Sequence, residues 1–161
     1  MALTKITNID LENSQITGEK INSSSSFTFT KTTQLGFFAE KANVISTAFS
    51  NGYVYRLNDG PVHFHTTDAS SNGTISLNGF SDISVGNSVS VAVLVQNGAA
   101  PKYISGVQID GTGTGVTVRW SGGSSPTGGN TSNTDVYVFS VIKTSSSPTY
   151  NIFASQTQFG G

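Results

Sequence analysis

Six Asn-Gly or Asp-Gly dipeptides, Asn51-Gly52, Asp59-Gly60, Asn72-Gly73, Asn78-Gly79, Asn97-Gly98 and Asp110-Gly111, punctuate the middle of this 161-residue chain. Asn and Asp tolerate the left-handed backbone region and Gly enters it without steric cost, so each pair is a ready-made tight turn. Between and beyond them, runs of residues either alternate with the period of two that sends one side chain inward and the next outward along a strand, or are apolar throughout. These runs cover 43–49, 53–57, 62–66, 74–77, 88–96, 103–109, 116–120, 136–142 and 150–154. Outside a short stretch at 37–42, no window carries the i, i+3, i+4, i+7 stripe of an amphipathic helix. Short strands with such turns at their ends predict an all-β chain, an antiparallel β-sandwich or jelly roll of about eight strands.

Two runs carry more than strand periodicity. In 88–96, Val89, Val91, Val93 and Val95 share one face while Ala92 and Leu94 share the other, the pattern of a central strand. The run 136–142, Val-Tyr-Val-Phe-Ser-Val-Ile, is also apolar on both faces. It suits either a central strand or one whose outer face meets another subunit, and a homo-oligomer is the expectation.

The first 35 residues differ from the rest. Ile6, Ile9, Leu11, Ile16 and Ile21 recur too loosely for a helix or a clean strand, and Ser23 to Ser26 follow them. The expected organisation is an N-terminal arm over 1–35 and a β-sandwich domain over 36–161. Five spaced aliphatics cannot bury themselves, so the arm either docks them on a neighbouring subunit or partner, or is a loose terminus or a first edge strand.

Charge narrows the function classes. Only 11% of residues are charged, and the eight Lys and Arg are scattered singly, without the basic stripe that phosphate neutralisation requires. Nucleic acid is therefore not an expected partner. The longest apolar stretch, 91–95, is far short of a membrane span, and the first residues lack a secretory apolar region, so a soluble protein made in a cytoplasm is expected. The absence of cysteine removes disulfides, thiolate metal sites and cysteine nucleophiles together. One Trp, five Tyr and ten Phe argue for a packed interior over disorder.

His63-Phe64-His65 is the sharpest local signal, because strand alternation puts both imidazoles on one face. They could share a metal with Asp68, or converge with those of two other copies on a threefold axis. The plainer alternative is a pair of solvent-facing histidines, and no cofactor is expected. Gly111-Thr-Gly-Thr-Gly115 has the glycines of a phosphate loop, but a strand follows it where such loops need a helix, so it reads as a turn. No Gly-x-Ser-x-Gly elbow marks a serine nucleophile. Asp59, Asp68, Asp82 and Asp110 read as turn formers rather than a catalytic pair. Tyr53, Tyr55, Tyr103, Trp120 and Tyr150 read as core, with a carbohydrate-stacking surface as the alternative. The loop 121–133 is long enough to project Ser124, Ser125, Asn130 and Asn133 toward a partner.

The C-terminal third carries a resemblance. Val116-Thr-Val-Arg-Trp120, Gly122-Gly123, Pro126-Thr127, Asp135-Val-Tyr-Val-Phe139, Tyr150-Asn-Ile-Phe153 and Phe159-Gly160 follow one another in the order seen in a β module of tailed-phage virion proteins, particularly from aquatic phages. The opening Met-Ala-Leu-Thr-Lys-Ile-Thr is similar to the start of many phage fibre-like and decoration proteins. Arg119 and the lengthened Gly128 to Asn133 stretch depart from the pattern. The resemblance implies a non-enzymatic structural component of a virion assembled in the host cytoplasm. It lacks the repeats or coiled stalk of a long fibre. That favours a capsid decoration or cement protein, trimeric, partnered with the major capsid protein or other virion proteins through Ile6, Ile9, Leu11, Ile16 and Ile21. A tail-fibre or adhesin head that contacts host glycans through the 121–133 loop is the alternative, and a small hydrolase ranks third.

Overall fold

Nine strands occupy the nine runs. In the computed structural model, which describes residues 39–147 and 149–160, they are β1 (Ala42–Ile45), β2 (Val54–Arg56), β3 (Val62–His65), β4 (Gly73–Asn78), β5 (Ser88–Gln96), β6 (Ile104–Ile109), β7 (Val116–Trp120), β8 (Thr134–Ser145) and β9 (Thr149–Phe159). One 3₁₀ turn, Leu57–Asp59, is the only helical element among the described residues. The expected arm over 1–35 lies outside them.

The strands form a six-stranded sheet in the order β1-β3-β5-β8-β9-β7 and a three-stranded sheet in the order β2-β4-β6. The chain steps between the sheets with each of its first six strands, so β1, β3 and β5 become parallel neighbours in one sheet, and β2, β4 and β6 in the other. Parallel neighbours need a crossover, and here the crossover is a strand of the opposite sheet. β7 joins the far edge parallel to β9, and the long antiparallel pair β8 and β9 fills the space between β5 and β7.

This arrangement corrects the expectation of an antiparallel sandwich. Only β5–β8 and β8–β9 pair antiparallel, while the other five pairings are parallel. The reason lies in the turns. Asn51-Gly52 and Asp59-Gly60 flank β2, Asn72-Gly73 and Asn78-Gly79 flank β4, and Asp110-Gly111 closes β6, so they turn the chain from one sheet to the other instead of back alongside itself. Gly60 shows what such a corner requires. Its φ is 118°, and a Cβ there would lie 2.2 Å from the Lys41 carbonyl oxygen. Gly73 serves by close approach instead, since its Cβ would stand 2.4 Å from Asn51 Cα.

The inward register of both sheets supplies one core. Tyr55, Ile75, Leu77, Ile104 and Ile109 from the small sheet pack with Val91, Val93, Val95, Tyr137, Phe139, Val141 and Ile152 from the large one, all of them buried. Trp120 meets Phe139 edge to face at 6.0 Å, which ties the β7 edge to that core.

Candidate functional site

The two histidines share one face of β3, as the spacing predicts, but that face is the core. His63 is 1% exposed and His65 is fully buried. A carbonyl can only accept, so the His65 Nδ1–H donates to the Thr47 carbonyl across 2.7 Å, and Nε2 is left to accept from the Tyr55 hydroxyl at 2.8 Å. His63 Nδ1 accepts from the Asn43 amide at 3.4 Å, while its Nε2 has no partner among the described residues. Burial lowers the pKa of both rings. Asp59 opposes the shift at His63 and His65 adds to it, while the Thr47 bond opposes it at His65. These are neutral rings that fasten β3 to β2 and to the chain after β1. The expectation of solvent-facing histidines is overturned, because the β3 register turns 63 and 65 inward. A threefold arrangement of imidazoles fails for the same reason, since rings inside a protomer's core cannot converge on an axis between copies. Among the described residues no three His, Cys, Asp or Glu side chains are grouped to hold a metal ion.

A second buried polar cluster went unread in the sequence. Asp135 is fully buried at the start of β8, and its Oδ2 accepts from Asn97 Nδ2 at 3.0 Å, the Asn130 backbone amide at 3.1 Å and Gln156 Nε2 at 3.1 Å. Gln156 also donates to the Tyr137 hydroxyl at 3.1 Å, and that hydroxyl receives the Ile104 amide at 3.2 Å. Burial raises the Asp135 pKa, against the three hydrogen bonds that favour the anion. The cluster pins the loop ahead of β8: a Cβ on Gly129 would lie 2.3 Å from the Lys102 carbonyl and 2.9 Å from both Asn97 Nδ2 and Asp135 Oδ2. The signal was available, because Asp135 occupies the same strand phase as Tyr137, Phe139 and Val141.

That pinning separates the four loop residues singled out from the sequence. Ser124 and Ser125 are exposed. Asn130 is half-buried, with its side chain donating to the Phe159 carbonyl at 2.8 Å, and Asn133 donates to the Thr131 carbonyl at 3.0 Å. Ser124 and Ser125 thus face solvent while the two asparagines shape the loop. Of the five aromatics, Tyr55 and Tyr150 are buried, and Tyr53, Tyr103 and Trp120 pack partly buried against the core. Ile6, Ile9, Leu11, Ile16 and Ile21 lie outside the described residues.

The outer faces of the two sheets differ sharply in chemistry. On the small sheet the outward positions include Arg56, Thr74, Asn78, Ser105 and Gln108, as expected where a sheet meets water. On the large sheet, register aligns Val44, Phe64, Leu94 and Val136 in one row and Val62, Ala92 and Val138 in the next. Val44 is 66% exposed, Val138 39%, and Phe153 on the neighbouring β9 row 51%. Arg119 is the only charged outward side chain on the strands of this sheet, at its β7 edge. Its guanidinium lies 5.9 Å from the centre of the Phe153 ring, and its Nη1 donates to Asn151 Oδ1. Between them and Val138, Ser140 and Ser155 runs a groove of about 320 Å³.

No family model, curated protein or solved structure matches this chain.

Proposed function

We propose that the chain is a non-enzymatic structural subunit of a phage virion, a decoration or cement protein that self-associates through the outer face of its large sheet. The observation that carries this reading is the pair of apolar rows on an outer face whose one charged side chain is Arg119 at its edge, set against the polar outer face of the small sheet. A second copy is the occupant that suits it. Residues near a symmetry axis meet their own equivalents, where like charges repel, and this face holds its one cation at the edge and apolar rows away from it. A trimer is the assembly the phage-module resemblance implies. Such a subunit works without chemistry: each copy buries surface against its neighbours and raises the free energy needed to separate the shell.

Val138→Lys and Phe153→Lys place a charge on exposed positions of the face and leave the core untouched. Analytical ultracentrifugation of the full chain is expected to find trimers for the wild type and monomers for both variants, with unchanged melting temperatures. Added to purified shells, the wild type is expected to delay thermal disruption and the variants to fail. A wild type that stays monomeric at every concentration overturns the proposal.

A further inference from the structure

We infer that the cleft at the Asp110 end of the two sheets binds a neutral polyhydroxylated ligand, a single sugar residue. The cleft encloses about 340 Å³, the lower end of the range for small-ligand sites and about right for one ring. Both sheets wall it: Ile109 and Asp110 close β6 of the small sheet, while Lys143 on β8 and Tyr150 on β9 come from the large one. It stands on this cleft alone and holds whether the subunit serves a shell or a tail.

The polar groups on the cleft wall alternate in hydrogen-bonding character. Lys143 is only 9% exposed, and the one hydrogen bond of its ammonium among the described residues goes to the Ser81 carbonyl at 2.8 Å. An ammonium carries three N–H donors, so two remain. Asp110 commits Oδ1 to the backbone amides of Gly79 at 2.7 Å and Phe80 at 3.4 Å, which leaves Oδ2 as an acceptor. Its φ of 48° is held by the tight turn in which the Ile109 and Thr112 amides and carbonyls bond each other at 3.0 Å. Thr112 and Thr114 of that same turn line the cleft, the Thr112 Oγ1 accepting from the Thr114 backbone amide at 3.0 Å, so the Gly-Thr-Gly-Thr-Gly stretch forms part of its wall. The hydroxyl of Tyr150, another lining residue, donates to the Phe80 carbonyl at 3.3 Å. Burial, with the Asp110 charge added, keeps it protonated.

This set selects against other ligands. An anion meets the Asp110 carboxylate, a cation meets the Lys143 ammonium, and a hydrocarbon leaves the hydroxyls unpaired. A vicinal diol donates to the carboxylate and accepts from the ammonium, with Thr112 and Thr114 on the wall beside its remaining oxygens. An amino-acid zwitterion matches the two charges but not the hydroxyls.

The test is an amide-resolved NMR titration of the full chain with galactose, glucose, mannose and N-acetylglucosamine, with glycine as the zwitterion control. At least one sugar is expected to bind at millimolar concentration and to shift amides in 79–81, 109–114 and 143–146 while leaving the Phe153 face unmoved. In Asp110→Asn, which keeps an amide-accepting oxygen and a residue type at home at positive φ, the dissociation constant is expected to rise about tenfold. Thr114→Val, at an exposed hydroxyl, is expected to weaken binding less. The inference is overturned by an absence of shifts with every sugar, by wild-type affinity in Asp110→Asn with its fold intact, or by glycine binding where sugars do not. Each of these outcomes is independent of the oligomeric state on which the proposed function is tested.

Discussion

The Tyr55 hydroxyl donates to His65 Nε2 across 2.8 Å, joining a strand of the small sheet to a strand of the large one through the middle of the core. The bond has no slack in its chemistry. Burial raises the Tyr55 pKa far above the usual phenol range, with Tyr53 and Tyr137 adding to it, and lowers that of His65, so the tyrosine stays a donor and the imidazole an acceptor. Tyr53 packs edge-on to the same imidazole at 4.6 Å, which fixes the ring's orientation.

Removing the donor exposes what the pair contributes. Tyr55→Phe keeps the ring in the core but leaves His65 Nε2 buried without a partner, and is expected to cost about 1–3 kcal/mol. Urea denaturation followed by tryptophan fluorescence measures it, and a loss below about 0.5 kcal/mol would show that water reaches Nε2.

The paired histidines set the response to mild acid. Both are held neutral in the fold with pKa values below the ordinary 6.5. As pH falls through 6.5, the unfolded chain takes up protons on these rings and the folded chain does not, so stability falls and levels off only below the folded pKa values. The melting temperature is expected to drop steadily from pH 7 toward the acid side. His63→Gln, whose amide oxygen can still accept from Asn43, is expected to flatten that slope, and an equally steep slope in this variant would remove His63 from the account.

Asp135 titrates with the opposite sign. Its folded pKa is raised from 3.8, so as pH climbs through that value the unfolded chain releases a proton that the folded chain keeps, and stability declines until the folded group ionises too. Asp135→Asn retains an acceptor for Asn97, Asn130 and Gln156 and is expected to cost about 1 kcal/mol or less near neutral pH while abolishing this acid-range decline. Asp135→Leu strips the acceptor from all three donors and is expected to cost about 3 kcal/mol or more, with the loop before β8 becoming protease-sensitive. Urea melts across pH compare the two, and equal losses would mean that shape, not hydrogen bonding, holds the site.

Much of this fold can be read along the chain because strand formation is a local property. All nine runs became strands, and Val91, Val93 and Val95 lie inward in β5 as their alternation requires. The run 136–142, apolar on both faces, lies in β8, an interior strand of the large sheet, which is one of the two placements its pattern allowed. Pairing partners are another matter. An Asn-Gly corner has the same local geometry whether the next strand folds back in its own sheet or crosses to the other, and only long-range packing chooses between them.

Local sequence pattern set the all-β class, the strand positions and the placing of both histidines on one side of their strand. Tertiary structure decided the parallel coil of β1 to β6, the burial of His63 and His65, the Asp135 cluster and the cleft between Asp110 and Lys143. Each of these joins residues far apart in the chain: 65 meets 55 and 47, 135 meets 97 and 156, and 110 shares a cleft with 143. Periodicity fixes which way a side chain points, but what it then meets depends on which strand lies opposite, and that follows from burying both sheets' apolar faces in one shared core.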